Sequence, residues 1–532
     1  MVIFQLLYLP VHLGFFVVVI VATLPLLVFF TSLRGVDSMI RVFSLFVPVL
    51  VLCTVLIGAL LSCGETDTPG TTPDETQGNT DASTAAVTEA VITDGLPDTD
   101  MQGFEMRFLN ATGDSLTWAN VQLDAEAANG DLINDSIFER NSYIEERFNC
   151  TLNYVSEPWH DISTGYQKIV MAGDNPYDII MLYGIDVAGK IDQMADMTHI
   201  PHLSLDREWW NPHATRTFRI GDKQVAAAGN FSLSYVSTAN CLLFNKTIHD
   251  EINLETSLYD TVRTGKWTTD EFFRVCRLAE KDLNGDGAMD ENDRMGVTGT
   301  VKAFHHLLVI GAGLHYVTMD EENFPVFDAV SNEKLVGFIG QVLQLEENDP
   351  NAFFWPTTVD GMDYPVDFQA GGCMFYVTWP HNITALRDMK DDFGIIPAPK
   401  YDEAQDTYYA NMANGEVATL PRSYDPDRLE NIGTLLEAMS FYTQKEIVPT
   451  YKNVLLENKV ARDEDSSEML DIVFGGITFD YGINVWQEHI GNKIMSDIFL
   501  KKNNAVVSTL EKMQNAVTVQ IEKLRETVAD MP

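Results

Sequence analysis

Short apolar runs alternate with amphipathic helical patterns from Phe104 to the end of the chain, and this alternation constrains the fold more than any other feature. Glu105–Leu109 and Thr151–Val155 have the composition of short strands, and Ile137–Phe148 between them has a helical pattern. A strand, a helix and a second strand in succession form a βαβ unit, whose two strands run in the same direction. The alternation therefore predicts an α/β fold with largely parallel sheets.

Similar runs recur over the rest of the chain. Further strands are predicted at Tyr177–Tyr183, Val225–Ala228, Cys241–Phe244, Met295–Thr298, Cys373–Val377, Phe393–Ile396 and Val417–Leu420. Because 532 residues exceed what one core usually supports, two or more lobes are expected. Apolar stripes from Leu429 to Met439 and from Val506 to Ile521 predict helices at the end of the chain.

Residues 1–103 differ in composition from the rest of the chain. Two apolar runs, roughly Phe15–Phe30 and Val42–Leu61, precede Leu60-Leu-Ser-Cys63-Gly, which resembles a bacterial lipobox. We expect residues 1–38 to be a mis-annotated or unusual leader, residues 39–62 a lipoprotein signal peptide and Cys63 the lipidated residue. The alternative is a pair of transmembrane helices. Residues 63–103 are rich in Thr, Asp, Gly and Pro, which predicts an acidic flexible tether.

The charge balance excludes one class of partner. Acidic residues outnumber basic ones by 77 to 35, and the formal charge of −42 repels phosphate backbones, so nucleic acid is not expected as a partner. The sequence lacks the H-E-x-x-H, G-x-x-x-x-G-K-[ST] and G-x-S-x-G motifs, so the usual zinc proteases, P-loop enzymes and serine hydrolases are not indicated. A carboxylate pair for glycoside hydrolysis stays open, because so many acidic residues allow many combinations.

An acidic loop lies in the segment Gly265–Gly296, after a helix whose start is marked by a capping box, Thr268 to Glu271. Oxygen ligands occur at the spacing of an EF-hand-like calcium loop. The candidate ligands are the side chains of Asp282, Asn284, Asp286, Asp290 and Asp293 and the carbonyl of Ala288. Gly287 occupies the sixth position, where the loop turns sharply. The sequence therefore predicts a structural calcium site, and the alternative is a solvated acidic turn.

Eight tryptophans are spread along the chain, several beside prolines and polar residues at predicted strand ends. Indole rings stack on the C–H faces of sugars, while carboxylates and amides bind sugar hydroxyls, so this mixture suits a carbohydrate site. For any single tryptophan, packing in the core is the competing interpretation.

Six motifs follow one another along the chain: Asn175-Pro-Tyr-Asp-Ile-Ile-Met181, Leu243-Phe-Asn-Lys246, Gly265-Lys-Trp-Thr-Thr-Asp-Glu-Phe272, Phe368-Gln-Ala-Gly-Gly-Cys-Met374, Gly394-Ile-Ile-Pro-Ala-Pro399 and Val485-Trp486. In this order and spacing they resemble the bacterial extracellular solute-binding proteins of carbohydrate ABC importers, the broad family that includes maltose-binding protein. The resemblance covers about residues 104–530. It implies a two-lobed periplasmic-binding-protein type II fold with a hinge and an interlobe cleft, with residues 104–239 and 395–442 in lobe I and residues 240–394 and 443–532 in lobe II.

The resemblance also implies a function. The protein is expected to be a lipid-anchored, monomeric receptor on the extracellular face of the membrane that binds a sugar and delivers it to ABC permease subunits, without enzyme activity. The ligand-binding positions carried over from the family are Tyr183, Asp186, Tyr316, Trp379, Trp486 and Asp114. Two alternatives remain at this point: a surface glycoside hydrolase or lyase that uses a carboxylate pair, and a sensory or adhesion protein on the same fold.

Overall fold

The structure is a computed structural model that describes residues 93–112, 123–290, 292–349, 353–354, 366–412, 415–456 and 464–531. The predicted leader, the signal peptide, Cys63 and all but the last part of the tether lie outside these residues, as does Asp114. None of the helices in the described part of the chain has both the length and the hydropathy that a membrane span requires.

The strands of the described residues build two main sheets and three small two-stranded ones. In chain order they are β1 Phe104–Thr112, β2 Cys150–Pro158, β3 Ile179–Tyr183, β4 Arg219–Ile220, β5 Lys223–Gln224, β6 Cys241–Asn245, β7 Met295–Thr298, β8 Thr318–Met319, β9 Pro325–Val326, β10 Phe353–Phe354, β11 Cys373–Thr378, β12 Phe393–Ile396, β13 Ala410–Asn411, β14 Glu416–Thr419 and β15 Ile477–Thr478.

Helices connect and cover these strands. The α-helices of the described residues are α1 Leu132–Phe148, α2 Trp159–Ala172, α3 Gly184–Val187, α4 Pro212–Thr217, α5 Ser234–Ser237, α6 Lys246–Ile252, α7 Leu258–Arg263, α8 Thr269–Ala279, α9 Val301–Gly311, α10 Glu333–Asn348, α11 Val366–Gln369, α12 Leu429–Tyr442, α13 Val448–Leu455, α14 Glu464–Gly475, α15 Tyr481–Asn484, α16 Gly491–Ile494 and α17 Val506–Ala529. Shorter 3₁₀ turns lie at Ile191–Gln193, Pro380–Leu386 and Pro426–Arg428, and π-helical turns lie at Thr443–Ile447 and Met495–Phe499.

The first sheet has the strand order β14-β3-β1-β2 and is the centre of what we call the first lobe. Strand β1 pairs in parallel with both β2 and β3, which confirms the predicted βαβ unit. Strand β14 runs antiparallel to β3. Both faces of the sheet are buried: Leu109 and Ile180 pack into one apolar cluster, and Phe108 and Met181 pack into another. Helices must therefore cover both faces, as they do in α/β folds.

The second sheet has the order β10-β7-β11-β6-β12 and is the centre of the second lobe. Strand β11 is parallel to β7, but β6 is antiparallel to both of its neighbours, β11 and β12. The sheets are thus mixed rather than largely parallel, because β6 and β14 enter directly from the other lobe and need no crossover helix. The boundary predicted between residues 394 and 395 falls inside β12, since Ile395 and Ile396 pair with Leu243 and Leu242.

Two short segments that link the two lobes lie side by side, and a third segment pairs with one of them. Ala239 bridges to Met412, and the backbone N–H of Asn240 donates to the carbonyl of Asn411 at 2.9 Å. Strand β13, which contains Asn411, also pairs in parallel with β15. The two passages of the chain at Asn240 and Asn411 are therefore hydrogen-bonded to each other, which is the arrangement expected of a hinge.

Candidate functional site

A cavity of about 470 Å³ lies between the lobes, and we call it the interlobe cavity. Its first-lobe lining consists of Trp159, His160, Ser163, Thr164, Ile185, Asp186, Ala188 and Gly189, and the remaining lining consists of Val485, Trp486, Gln487, Glu488, His489, Gln520, Lys523, Leu524 and Thr527. The first-lobe residues follow the carboxyl ends of β2 and β3. Ligands of open α/β sheets bind outside these strand ends, where loops from neighbouring strands meet.

Two tryptophans stand on different walls of the interlobe cavity. Trp159 begins helix α2 and is half-buried, and its ring meets the edge of the Tyr183 ring with centroids 5.8 Å apart. Trp486 is 4% exposed and packs edge-on against Tyr481 at 4.6 Å. Its backbone N–H donates to the Tyr481 carbonyl at 2.8 Å, which fixes the chain at that point. The cavity is therefore lined by the partly accessible indole of Trp159 and by the nearly enclosed indole of Trp486, and aromatic surface of this kind suits carbohydrate.

Asp186 lines the cavity as predicted, but its carboxylate already has partners. The Ser163 hydroxyl donates to Asp186, and the ammonium group of Lys190, one helical turn further on, lies 3.6 Å from the same carboxylate oxygen. Lys190 also donates to the Ser163 hydroxyl at 3.1 Å. Both members of the ion pair are 14% exposed. The cluster joins α2 to the segment after β3 and holds the first-lobe wall in one position.

Tyr183 supports the wall instead of lining it. The side chain is 2% exposed and lies behind Trp159, and its backbone pairs with Glu416 at the start of β14. Burial, and secondarily the Glu416 carboxyl group, raise the pKa of Tyr183. Burial likewise raises the pKa of Glu416 well above its ordinary value, while a hydrogen bond with Tyr183 opposes that shift. Both groups favour the neutral form in this setting.

The other predicted contacts are not brought to this cavity. Tyr316 is fully buried, and its backbone N–H donates to the Asp480 carboxylate at 2.7 Å. Trp379 follows the end of β11 and stacks on His381, with ring centroids 5.9 Å apart and an interplanar angle of 8°. Neither residue is part of the lining. Of the six predicted positions, Asp186 and Trp486 thus meet at the interlobe cavity, and Asp114 lies outside the described residues.

Sequence reasoning did not place Trp159 or helix α17 at the site. Trp159 was one of eight dispersed tryptophans, and the signal that could have singled it out is its position four residues after the predicted strand Thr151–Val155. The α17 residues Gln520, Lys523, Leu524 and Thr527 follow the i, i+3, i+4, i+7 spacing of one helical face. In the sequence that face looks like the solvated side of a surface helix, because only Leu524 is apolar.

The acidic loop predicted to bind calcium follows α8 and is described except for residue 291. Asp282 accepts from the backbone N–H of Gly287 at 2.9 Å, and Asp293 accepts from those of Leu283 at 2.8 Å and Asp290 at 3.0 Å. Gly287 has a φ of 83°, which glycine adopts freely and which suits the sharp turn at the sixth position. Within the described residues, however, no three His, Cys, Asp or Glu side chains are arranged to hold a metal ion.

A two-lobed α/β fold with a ligand-sized cavity between its lobes is the architecture of extracellular solute-binding proteins. Solved structures of such proteins are similar to this chain in fold. The cyclic α-maltosyl-1,6-maltose-binding protein from Arthrobacter globiformis is similar to this chain with a TM-score of 0.53 at 13% identity, over 79% of this chain and 100% of that one. A family 1 extracellular solute-binding protein from Bifidobacterium longum subsp. infantis is similar with a TM-score of 0.51 at 13% identity, over 78% of this chain and 99% of that one.

A sugar transporter from Rhizobium etli in an open conformation gives a TM-score of 0.52 at 14% identity, over 78% of this chain and 99% of that one. No protein-family model matches the sequence, and no curated protein matches it either. At these identities the likeness shows the fold. The predicted two-lobed, maltose-binding-protein-like α/β fold is therefore confirmed.

Proposed function

We propose that this protein is a receptor that binds a sugar or short oligosaccharide in the interlobe cavity and delivers it to an ABC importer. The observation that carries the proposal is the position of Trp159 and Trp486 on different walls of one cavity of about 470 Å³ between two lobes. That volume is within the range of small-molecule sites. The structurally similar proteins named above are a cyclic oligosaccharide-binding protein, a solute-binding protein and a sugar transporter, which supports the same class of ligand.

The cavity has the two kinds of surface that a sugar needs. Indole faces cover the C–H surfaces of the pyranose ring, and amide, hydroxyl and imidazole groups such as those of Gln487, Thr164 and His489 line the same space and suit hydroxyl groups. Because the walls come from both lobes, a ligand that contacts both favours the closed arrangement by its differential affinity. The hydrogen-bonded crossings between the lobes supply the hinge, and a permease recognises the closed receptor.

The attachment to the membrane belongs to the same proposal. Cleavage before Cys63 and lipidation of that cysteine anchor the chain. Residues 93–103 are held against the first lobe, where Asp94 and Asp98 pair with Arg147, so only the acidic segment before them is proposed as the tether. This part rests on the sequence pattern. Mass spectrometry of the protein from its native membrane tests it: the expected mature chain begins with a lipid-modified Cys63, and a chain that retains residue 62 contradicts the anchor.

We also propose that the acidic loop binds Ca²⁺ as a structural ion. Asp282, Asp286, Asp290 and Asp293 with Asn284 and the Ala288 carbonyl have the spacing that an EF-hand loop uses, and the turn at Gly287 supports the assignment. These residues would hold the ion, and its charge would offset the mutual repulsion of the carboxylates and stabilise the loop between α8 and β7.

Calorimetry with the detergent-solubilised full chain tests the function. Mono- to tetrasaccharides are titrated into the wild-type protein and into the Trp159→Ala/Trp486→Ala variant, and the same mixtures are analysed for products. We expect stoichiometric binding of at least one sugar, loss of that binding in the double variant, and no products. Turnover of a glycan would favour the hydrolase alternative, and the absence of any sugar binding would overturn the proposal.

A further inference from the structure

The C-terminal helix α17 forms a wall of the interlobe cavity. Gln520, Lys523 and Thr527 lie on its cavity-facing side together with the buried Leu524. These positions recur at the spacing of one helical face, so they present their side chains in the same direction.

The adjacent face of α17 is held firmly. Arg525 lies over the Phe324 ring at 3.9 Å from its centroid and pairs with Asp320 at 2.7 Å. Val528 is 3% exposed and packs towards Gly221 of the first lobe. Because this face is anchored to both lobes, the cavity-facing side chains keep a defined position relative to the site.

Two carboxylates, of Asp186 and Glu488, and one ammonium group, of Lys523, line the cavity. The carboxylate of Asp186 is compensated by Lys190 at 3.6 Å. Glu488 accepts a hydrogen bond from the Asn492 amide at 2.7 Å and interacts electrostatically with the half-buried ammonium group of Lys302. Lys523, by contrast, is exposed and has no ion pair with any described residue. Asp186 and Glu488 thus have partners of their own, whereas the ammonium group of Lys523 is available to an anionic group of a ligand.

An available positive charge is informative in a chain whose formal charge is −42. The overall field of such a protein disfavours anionic ligands, so an acidic ligand needs a local cation at its binding site. An ammonium group attracts a carboxylate or sulfate group and offers three hydrogen-bond donors. Water solvates the exposed Lys523 ammonium group in the ligand-free protein, and an acidic group of the ligand would replace part of that water.

We propose that Lys523 is a specificity-determining residue and that the ligand is an acidic carbohydrate, one whose carboxylate or sulfate group contacts the Lys523 ammonium group. This inference rests on the proposed function and narrows its substrate class. Gln520 and Thr527, on the same face, bind hydroxyl groups adjacent to the acidic group.

Calorimetry with the full chain tests the proposal. The probes are di- to tetrasaccharides in matched pairs: oligogalacturonides and their neutral methyl esters, sulfated and unsulfated chondroitin disaccharides, and neutral gluco- and manno-oligosaccharides. The variants are Lys523→Gln and, as a control on the exposed side of the same helix, Lys512→Gln. We expect an acidic member to bind at least tenfold more tightly than its neutral counterpart, and Lys523→Gln to remove that preference while Lys512→Gln keeps it. The preference also declines as salt is added.

The outcomes separate this inference from the function on which it rests. The uronate and sulfate arms identify which acidic group is bound. Equal binding of the acidic and neutral members, or an acidic preference that survives Lys523→Gln, overturns the inference and leaves a neutral-sugar receptor. If none of the probes binds, including the neutral ones, the carbohydrate receptor itself is overturned and the inference with it. Melting temperatures of both variants close to that of the wild type show that the fold is intact.

Discussion

At the scale of single residues, the two indole rings of the interlobe cavity are held in different ways. Trp486 is nearly enclosed and fixed by Tyr481, whereas Trp159 is half-buried and supported from behind by Tyr183. Because Trp159 keeps part of its ring accessible, it has the larger free surface on which a sugar ring can stack.

We predict that Trp159→Ala weakens sugar binding by about tenfold, which corresponds to about 1.4 kcal/mol. The alanine removes the stacking surface and leaves the polar groups of the cavity in place. Trp159→Phe is the matched control, because it retains an aromatic ring and should lose less affinity. The sequence resemblance instead assigned a contact to Trp379, which is outside the lining of this cavity. Calorimetric affinities that fall more for Trp379→Ala than for Trp159→Ala would contradict the position of the site.

The carboxylate of Glu437 anchors a different part of the first lobe. It is 1% exposed and accepts from the indole N–H groups of Trp209 at 2.9 Å and Trp210 at 2.8 Å and from the backbone of Ser204 at 3.1 Å. Burial raises the pKa of Glu437 above its ordinary value, against the lowering effect of these hydrogen bonds. The folded state therefore binds the proton more tightly than the unfolded state does.

We predict that Glu437→Gln lowers the free energy of unfolding by about 1–3 kcal/mol, because the amide NH₂ turns a donor towards indole donors. The raised pKa fixes the sign of the pH dependence. The stability that the carboxyl group contributes is complete below its unfolded pKa and is lost as pH rises through the higher folded pKa. Since glutamine does not titrate, the difference in the free energy of unfolding between wild type and variant, here called the gap, should narrow as pH rises through this window. Urea unfolding at a series of pH values measures the gap, and a gap that widens would contradict the raised pKa.

The residues of the site could be predicted from the sequence only in part, for a physical reason. Trp486 and Asp186 occur beside motifs whose order is visible in the chain, so the resemblance located them. Ser163 and Lys190 become partners of Asp186 only after two segments fold together. The same holds for Lys523, which is 337 positions after Asp186 in the sequence yet lines the same cavity. Local patterns contain no information about such pairings.

At the scale of secondary-structure elements, apolar runs identified the principal strands, and cap chemistry identified the start of α8. Thr268 caps that helix by accepting from the backbone N–H of Glu271 at 3.4 Å. The Glu271 side chain instead binds Arg274 at 2.6 Å, because an ion pair one turn along the helix competes with the capping box. The two-residue strands β13 and β15 were not predicted, since they are too short to show a period and their pairing depends on segments distant in sequence.

The acidic loop between α8 and β7 leads to a prediction about the melting temperature of the protein. If it binds Ca²⁺, adding the ion at about 100 times its dissociation constant should stabilise the protein by about 2.7 kcal/mol and raise its melting temperature relative to EDTA. Asp282→Asn should abolish most of this increase, because it removes one negative ligand at the first position of the loop. Asp250→Asn, at an exposed residue outside the loop, is the control. Identical melting temperatures in calcium and EDTA would show that the loop is only a solvated turn.

A second element-scale prediction concerns Arg140, which is fully buried in α1. Its guanidinium group donates to the carbonyls of Leu123 at 2.7 Å and Phe231 at 3.0 Å and to the hydroxyl of Thr443 at 3.0 Å. Three segments distant in sequence are thus joined to one helix. Arg140→Met should cost about 3 kcal/mol, since each of the two carbonyls loses this donor in a buried setting. Urea unfolding measures the loss against Arg277→Met, a change at an exposed helix position; equal losses would contradict the role of Arg140.

At the scale of the whole molecule, the lobes meet at a second location besides the crossings. The hairpin β4–β5 of the first lobe contacts the hairpin β8–β9. The backbone N–H of Gly221 donates to the Asn323 carbonyl at 3.1 Å, and the Asn323 amide donates to the Gly221 carbonyl at 3.1 Å. Phe324 packs directly on Gly221, where an added Cβ would lie 3.0 Å from the ring. We call this contact the hairpin latch.

Loss of the hairpin latch should shift the ligand-free protein towards an open arrangement. Asn323→Gly is the suitable change, because Asn323 has a φ of 61°, which glycine tolerates and alanine does not. It removes one hydrogen bond worth about 0.5–1.5 kcal/mol, which changes the ratio of closed to open molecules about 2- to 13-fold. Small-angle X-ray scattering should show a larger radius of gyration for Asn323→Gly than for the wild type. Glu321→Gly, at an exposed position of the same hairpin, controls for the added backbone freedom. If the ligand-free Asn323→Gly protein scatters like the wild type, the latch does not contribute to the relative position of the lobes.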